Sequence, residues 1–322
     1  MVVFEGYNNA MHQKYIYKKI EPYETGYLKV SNLHTIYYEI SGNPDGIPIF
    51  HIHGGPGGGS GPDNRRMFNP QKFKIIVYDQ RGCGMSTPFA EIKENTTHDL
   101  IRDIEKLRIH LKLDKISLFG GSWGTTLSLL YAIHYPQNVH KIILRGVYLG
   151  RQEDTHWLSQ EGASKFYPID FEKYISIINP SERNDLVTAY NKLLNHEDEA
   201  IALKAAQHWA QWEMALISVK RIKAKKDVDP KELLPIARIE NHYFINKLFL
   251  NDDNFILNNI DKISHIPVDI VHGQLDMDCL PIQAYLLHKK LPNSRLFIID
   301  GAGHTWREKG IAKKLVELTD EL

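Results

Sequence analysis

The chain of 322 residues is long enough to bury a sizeable core and carry a second lobe, and its 39 Lys+Arg balance 39 Asp+Glu, which leaves no basic excess for nucleic acid or anionic lipid. Its two cysteines, Cys83 and Cys279, exclude a disulfide framework and suit a reducing compartment. No apolar run is long enough to span a bilayer, and the polar stretch Met1 to Lys14 lacks the apolar centre of a secretory signal, so a soluble cytoplasmic protein is expected.

Met1 to Glu24 gives little periodic signal and reads as an ordered arm or an early edge. Gly26–Val30 and Thr35–Ile40 alternate and are rich in β-formers, with Ser31 to His34 between them, which predicts a hairpin. Pro48–His53 is a short apolar strand running into a glycine cluster, and Phe73–Tyr78 is another, followed by Asp79-Gln-Arg-Gly82. Thr97 to Leu111 has helical spacing at Leu100, Ile101, Ile104, Leu107 and Leu111, with Thr97 as the expected cap. The strand Lys115–Phe119, the helix Thr125–His134 and the strand Lys141–Leu144 follow. Strands that alternate with helical runs imply a parallel sheet covered on both faces.

The pattern changes near Gly150. From Arg151 to about Tyr243 no convincing strand appears, and Ser181–Leu194 and Asp198–Val219 read as amphipathic helices. Alternation resumes at Val268–His272, continues with a helical run over Pro281–Lys290 and a strand over Arg295–Ile299, and ends in a helix after His304. With no low-complexity linker in sight, the helical insert is expected to pack directly on the rest.

Phe119-Gly-Gly-Ser-Trp-Gly124 lies between a strand and a helix, and Gly-x-Ser-x-Gly in that setting is the nucleophile elbow of α/β-hydrolases. Side chains at Gly120 and Gly124 would collide with the adjoining strand and helix, and Ser122 would sit exposed on a strained turn. The plainer reading of Ser122 is an N-cap serine. A serine nucleophile needs a base and an acid to orient it, in the chain order Ser, Asp/Glu, His and each just past a strand. Asp276 follows the strand over Val268–His272, and His304, flanked by small residues, follows the last one. Asp278 is a rival to Asp276, which could instead be a capping residue, and any one of the 16 histidines is more often structural than catalytic. The oxyanion hole is expected from the backbone N–H groups of Trp123 and of Gly55 in His53-Gly-Gly-Pro-Gly-Gly-Gly59. That loop lacks the Gly-Lys-Ser/Thr of a phosphate cradle. His51 and His53 have no acidic or cysteine partner at ligand spacing and read as core and loop residues, and Cys83 lacks a Cys-x-x-Cys partner, so no metal and no cofactor are expected.

With these stretches in view the chain resembles proline iminopeptidases, the prolyl aminopeptidases of the α/β-hydrolase fold. The matching stretches are His53-Gly-Gly-Pro-Gly57, Asp79-Gln-Arg-Gly82 with Gly84 and Ser86, Gly120-Gly-Ser-Trp-Gly124, Leu144-Arg-Gly146, Gly162-Ala-Ser164, Trp212-Glu213, Ala237-Arg-Ile-Glu-Asn-His-Tyr-Phe244 and Gly301-Ala-Gly-His304. The resemblance implies an exopeptidase that releases N-terminal proline. Its triad falls on Ser122, Asp276 and His304, its ammonium-binding carboxylates on Glu213 and Glu240, and its proline slot on Tyr148 and Phe244. Read without the resemblance, Glu213 is a solvated helix face and Glu240 an ion-pair partner of Arg238 or a lysine. Two departures stand out: Trp157-Leu-Ser-Gln160 puts Ser159 where the family has tyrosine, and His272-Gly-Gln-Leu-Asp276 with Cys279-Leu-Pro281 replaces His-Gly-Arg-Tyr-Asp and Cys-Pro.

The expected architecture is an α/β-hydrolase core over residues 1–149 and 244–322, a mostly parallel sheet with helices on both faces, and a helical cap over 150–243 that recognises the substrate amine. The expected partners are peptides with a free N-terminal proline, with neither nucleic acid nor membrane, and with room for a homo-oligomer. A broader small-residue aminopeptidase or a carboxylesterase is the alternative; a non-catalytic binding protein on this fold is disfavoured by the complete triad.

Overall fold

The structure, a computed structural model, describes residues 13–220 and 228–322. Most of the Met1–Lys14 stretch, and half of the predicted N-terminal arm, therefore lie outside the described residues.

Eight strands form one sheet: β1 (Glu24–Lys29), β2 (Thr35–Gly42), β3 (Ile47–Ile52), β4 (Phe73–Tyr78), β5 (Ile116–Ser122), β6 (Val139–Val147), β7 (Val268–Gly273) and β8 (Ser294–Ile299). The order across the sheet is β1-β2-β4-β3-β5-β6-β7-β8. β1 and β2 form the predicted hairpin, β2 pairs antiparallel with β4, and every later pair is parallel. The chain steps from β3 out to β4, then crosses back to β5, so strand order reverses between β3 and β5. In open α/β sheets that reversal opens a crevice at the carboxyl ends of the strands.

The period of two along each strand sorts the core into two layers. Phe50, Ile52, Ile76, Tyr78, Ile142 and Leu144 face one way. Ile49, Ile75, Val77 and Ile143 face the other. The first layer is covered by helices α1 (Thr97–His110), α2 (Trp123–His134) and α9 (Pro281–Lys290), through Ile104, Leu127, Ala284 and Leu287. The second is covered by α10 (Lys309–Asp320) and a short turn over Pro62–Met67, through Ile311, Leu315 and Met67. Strands buried on both faces explain the continuous apolar runs Ile75–Tyr78 of β4 and Ile142–Leu144 of β6.

Between β6 and β7 the described residues contain no strand. They form α3 (Gln152–Ser159), α4 (Pro168–Ile175), α5 (Leu186–Leu194), α6 (Glu199–Leu216), α7 (Pro230–Ile245) and α8 (Phe255–Asn259). An aromatic stack fills this region: Tyr174 lies 4.6 Å from Tyr190 and 5.6 Å from Trp212, ring centre to ring centre, and Tyr190 lies 5.2 Å from Trp209. These rings join the same apolar cluster as the sheet layer under α2, so the insert rests directly on the core as expected.

Local boundaries depart from the sequence reading in three places. The cap of α1 is Thr96, not Thr97: Thr96 and Asp99 form a reciprocal capping box, while Thr97 is buried and donates to the carbonyl of Leu248 at 2.5 Å. The run Ser181–Leu194 is broken, because a tight turn over Pro180–Glu182 precedes Asp185, which caps α5 through Thr188 N–H. The predicted helix over Asp198–Val219 ends at Leu216, with Asp198 as its cap.

The Asp79-Gln-Arg-Gly82 stretch after β4 is scaffolding. Arg81 forms a bidentate pair with Asp103 of α1, at 2.6 and 2.7 Å, both side chains almost fully buried. Removing one partner of such a pair leaves an uncompensated buried charge. Asp103→Asn should therefore cost about 3–5 kcal/mol in urea unfolding, whereas replacing Arg81 and Asp103 together by apolar residues of similar volume should cost much less. Equal losses for the single and double variants would contradict this account.

Candidate active site

Ser122 ends β5 and stands immediately before α2, with φ 59 and ψ −128, a conformation that L-residues rarely adopt. The turn is sharp because its neighbours have no side chains. A Cβ on Gly120 would lie 2.3 Å from the carbonyl oxygen of Gly124, and one on Gly124 would lie 2.1 Å from that of Ile52. Ser122 occupies the N-cap position of α2, yet its side chain accepts no capping hydrogen bond, which removes the plainer reading of this serine. Trp123 is the first residue of α2, so its N–H has no carbonyl within the helix to bond.

The glycine loop after β3 is braced from beneath. Gln80 N–H donates to His53 Nε2 at 3.0 Å, its side-chain amide donates to the His53 carbonyl at 2.9 Å, and its side-chain oxygen accepts from the Trp123 indole at 2.9 Å. One glutamine thus ties the loop to the elbow, a role that the motif's spelling alone did not reveal. Asp79 accepts from Ser60 N–H at 2.7 Å and Met85 N–H at 2.8 Å, which pins the far end of the loop. Gly55 sits in this loop with φ +107, and Gly54, Gly55 and Ser122 line one cavity of about 110 Å³.

His304 and Asp276 meet from the loops after β8 and β7. Nδ1 of His304 donates to Asp276 Oδ2 at 2.7 Å. Asp276 Oδ1 accepts from the N–H groups of Asp278 (3.0 Å) and Cys279 (2.8 Å), and His272 Nε2 lies 3.3 Å from Oδ2. Burial alone would raise the Asp276 carboxyl, but the facing His304 and the bonds from both histidines hold it well below the usual carboxylate range. Room for the imidazole comes from Gly146, where a Cβ would fall 2.8 Å from His304 Cε1. His304 and Ser122 line the same cavity. They are not hydrogen-bonded: Nε2 of His304 faces Asp278 Oδ2 at 3.2 Å.

The roof of the cavity carries acid. Glu213 of α6 lines it. Glu240 of α7 lies behind Glu213, only 3% exposed, and accepts from the Trp209 indole at 2.6 Å. The two carboxyl groups are close enough for each to perturb the other's titration. Burial, then the charge of Asp278, push Glu213 up to about 8; burial and then Glu213 push Glu240 well above its ordinary value. Neither is the solvated or ion-paired group that an isolated reading of the sequence favours. Arg238 points elsewhere, donating to the Leu194 carbonyl at 3.0 Å.

Tyr148 and Phe244 lie together, with ring centres 6.3 Å apart, and Phe244 continues to Trp209 at 6.1 Å. Neither lines the cavity at Ser122. Phe244 borders a separate hollow of about 750 Å³ that also includes Ser159, whose hydroxyl donates back to the Thr155 carbonyl at 2.7 Å. A third hollow, about 300 Å³, shares Gly58, Glu213 and Ile236 with the serine cavity and opens beside Met85 and Phe89.

Sequence reading assigns no separate role to several polar residues of the cavity, among them Arg145 and Asp278. Arg145, toward the end of β6, is half-buried, lines the cavity and donates to the His304 carbonyl at 3.0 Å. An arginine inside an apolar strand was the available signal. Asp278 was considered only as a substitute for Asp276; here it is a separate member. Asp278, Cys279 and His304 bring one donor atom each within 4.8 Å of one another, although Cys279 is held as a thiol by burial. His51 and His53 are core groups: burial lowers them to about 3 and about 4, and they bond Asn64 and Gln80 at 3.0 Å. The Cys83 thiol is buried and pushed up by that burial.

Residues 47–306 match the family model of the alpha/beta hydrolase fold. A protein named probable proline iminopeptidase from Leptolyngbya boryana is 47% identical over 95% of this chain and 96% of its own length. Proline iminopeptidases from Arabidopsis thaliana (45%; 97% of this chain, 83% of that one) and Neisseria gonorrhoeae (46%; 95% and 98%) are similarly related. Among solved structures, a bromoperoxidase from Bacillus anthracis superposes with a TM-score of 0.63 at 17% identity, covering 93% of this chain and all of that one, which speaks to the fold alone.

The raised carboxyl of Glu213 has a consequence for stability. A group whose pKa rises on folding from 4.5 to about 8 binds more protons folded than unfolded between those values, so stability falls as pH rises through that window. Glu213→Gln removes the fall. Its melting temperature should match wild type near pH 4.5 and exceed it by several degrees near pH 8, at roughly 2–4 °C per kcal/mol. Parallel curves across this range would refute the assignment.

Proposed function

The chain belongs to the proline iminopeptidase family of the α/β-hydrolase fold, and on that premise we propose that it is a serine exopeptidase that releases proline from the N-terminus of peptides. The observation that carries this reading is the pair Glu213 and Glu240 in the roof over Ser122: Glu213 lines the cavity, and Glu240 is buried against the Trp209 indole. An aminopeptidase has to count one residue from a charged terminus. Like charges in a partly dry pocket repel, so a substrate ammonium that enters them is bound favourably, and the proton they hold is released.

The chemistry then proceeds in two steps. His304 Nε2 takes the proton of Ser122 as its Oγ attacks the prolyl carbonyl, and the N–H groups of Trp123 and Gly55 hold the oxyanion. Asp276, bonded to Nδ1, fixes the tautomer and stabilises the imidazolium. His304 returns the proton to the leaving amine, and water hydrolyses the prolyl-enzyme by the same route. The hollow bounded by Gly58, Met85 and Phe89 adjoins the cavity and suits the departing chain. The helices from Gln152 to Ile245 act as the cap that supplies the counting carboxylates. Neither a metal nor a cofactor enters these steps.

A broader preference among small residues is favoured by one observation. Tyr148 and Phe244 stand behind the cavity rather than in its wall, and Ser159 leaves a hollow where the family places tyrosine. Strict proline selection would require those rings to close on the substrate.

Ser122→Ala should lower turnover of a prolyl arylamide by roughly 10⁴-fold or more without loss of fold; wild-type rates would eliminate this nucleophile. On a panel of prolyl, alanyl, leucyl and N-acetylprolyl arylamides, the free prolyl compound should be hydrolysed fastest. Glu213→Gln and Glu240→Gln should each slow the free-amine compounds by roughly tenfold or more while sparing a short-chain ester. Similar losses on ester and amide would leave a hydrolase without an amine-counting roof.

A further inference from the structure

Asp278 is used by nothing in the mechanism above, yet it is placed at the centre of the site. It is 7% exposed, lines the cavity at Ser122, and its Oδ2 lies 3.2 Å from Nε2 of His304. Nε2 is the atom that must accept the serine proton. While the carboxyl group of Asp278 occupies it, by either protonation pattern of that pair, Nε2 is engaged there and not with Ser122, whose hydroxyl makes no hydrogen bond among the described residues. The other carboxylate oxygen, Oδ1, is buried with no hydrogen-bond partner. An enclosed carboxylate oxygen without a donor is costly and awaits one.

The groups around Asp278 define what that donor is. Its own loop supplies Asp276, through the bond from Asp278 N–H to Asp276 Oδ1, and the Cys279 thiol at 3.7 Å from Oδ2. The loop after β8 supplies His304, β6 supplies Arg145, and the charge of Asp278 is felt by Glu213 of α6 and Glu240 of α7. Arg145 is the one permanent cation in the set and already bonds the His304 carbonyl. A small cationic donor entering between the roof and the floor would meet carboxylates on both sides.

Resting on the reading that the site takes a free amine, we propose that Asp278 is a third amine-binding carboxylate and, in the empty site, a restraint on the base. The substrate ammonium takes over the Asp278 carboxylate, and Nε2 of His304 is released to Ser122. Binding of the correct terminus and arming of the nucleophile then become one event. An acyl compound without the amine leaves the restraint in place, so the enzyme discriminates through the state of its base as well as through affinity.

The test compares 4-nitrophenyl esters of proline and of cyclopentanecarboxylic acid, which keeps the ring and replaces the amine nitrogen by carbon. Rates are normalised to active sites titrated with a fluorophosphonate. Asp278→Asn should lower kcat/KM for the proline ester by roughly tenfold and raise it for the cyclopentane ester by several-fold, opposite signs that a purely structural role would not produce. Both esters slowing together, or neither changing, overturns the proposal. Independently of any variant, methylammonium chloride should accelerate fluorophosphonate labelling of wild-type Ser122 relative to equal sodium chloride; no effect or slower labelling also overturns it. Wild type that prefers the cyclopentane ester would instead refute the free-amine reading itself, whatever Asp278→Asn does.

Discussion

A carboxylate closed off from water holds this site together. Asp276 is fully buried, and burying a lone carboxylate is costly unless its lone pairs are filled. They are filled by two backbone N–H groups of its own loop and by His304 from the next strand's loop, with His272 of β7 3.3 Å away beneath it. His272 has its own orientation fixed, accepting from Val147 N–H at 3.1 Å and donating to the Cys279 carbonyl at 2.7 Å. The requirement to satisfy one acid therefore ties the loops after β7 and β8 to the ends of β6 and β7. His304 cannot stray without stranding Asp276.

Upon that floor stands a roof with the opposite electrostatic character. Asp276 is held ionised by partners, whereas Glu213 and Glu240 are driven toward their protonated forms by burial and by each other. The same side-chain chemistry thus plays two roles within one cavity, decided by whether donors or further acids surround it. Glu240 is locked by the Trp209 indole, and Trp209 by the stack with Tyr190 and Tyr174. The aromatic filling of the inserted helices is what keeps two acids close enough to need a cation.

The roof and floor are fastened at several points. Thr305 N–H, beside the base, donates to the carbonyl of Ile217 at the end of α6, at 2.8 Å. Tyr243 of α7 donates to Asn95 at 2.9 Å and packs edge-on against the Trp123 ring at 5.0 Å. Trp123, the residue after Ser122, therefore reaches both Gln80 under the glycine loop and α7 in the roof.

The sequence by itself determined the strand and helix alternation, the elbow at Ser122, the glycine loop, and the chain order in which Asp276 and His304 follow. These are local matters: a sharp reversal needs glycines at fixed offsets, a doubly buried strand needs an unbroken apolar run, and the base must follow a strand end. The family match added Glu213 and Glu240, which the residues alone leave as a solvated helix face and an ion-pair partner of Arg238 or a lysine. What only the tertiary structure decided is which polar groups share a cavity. Arg145, Asp278 and His304 are far apart along the chain, and their meeting depends on parallel pairing of β6 to β7 and β7 to β8, which no local pattern encodes. It also placed Tyr148 and Phe244 behind the cavity rather than in it, because a ring's position follows from how α7 packs on α5, α6 and the core, not from its neighbours in sequence. Local physics writes the elements; desolvation and charge, which act between distant segments, decide what those elements enclose.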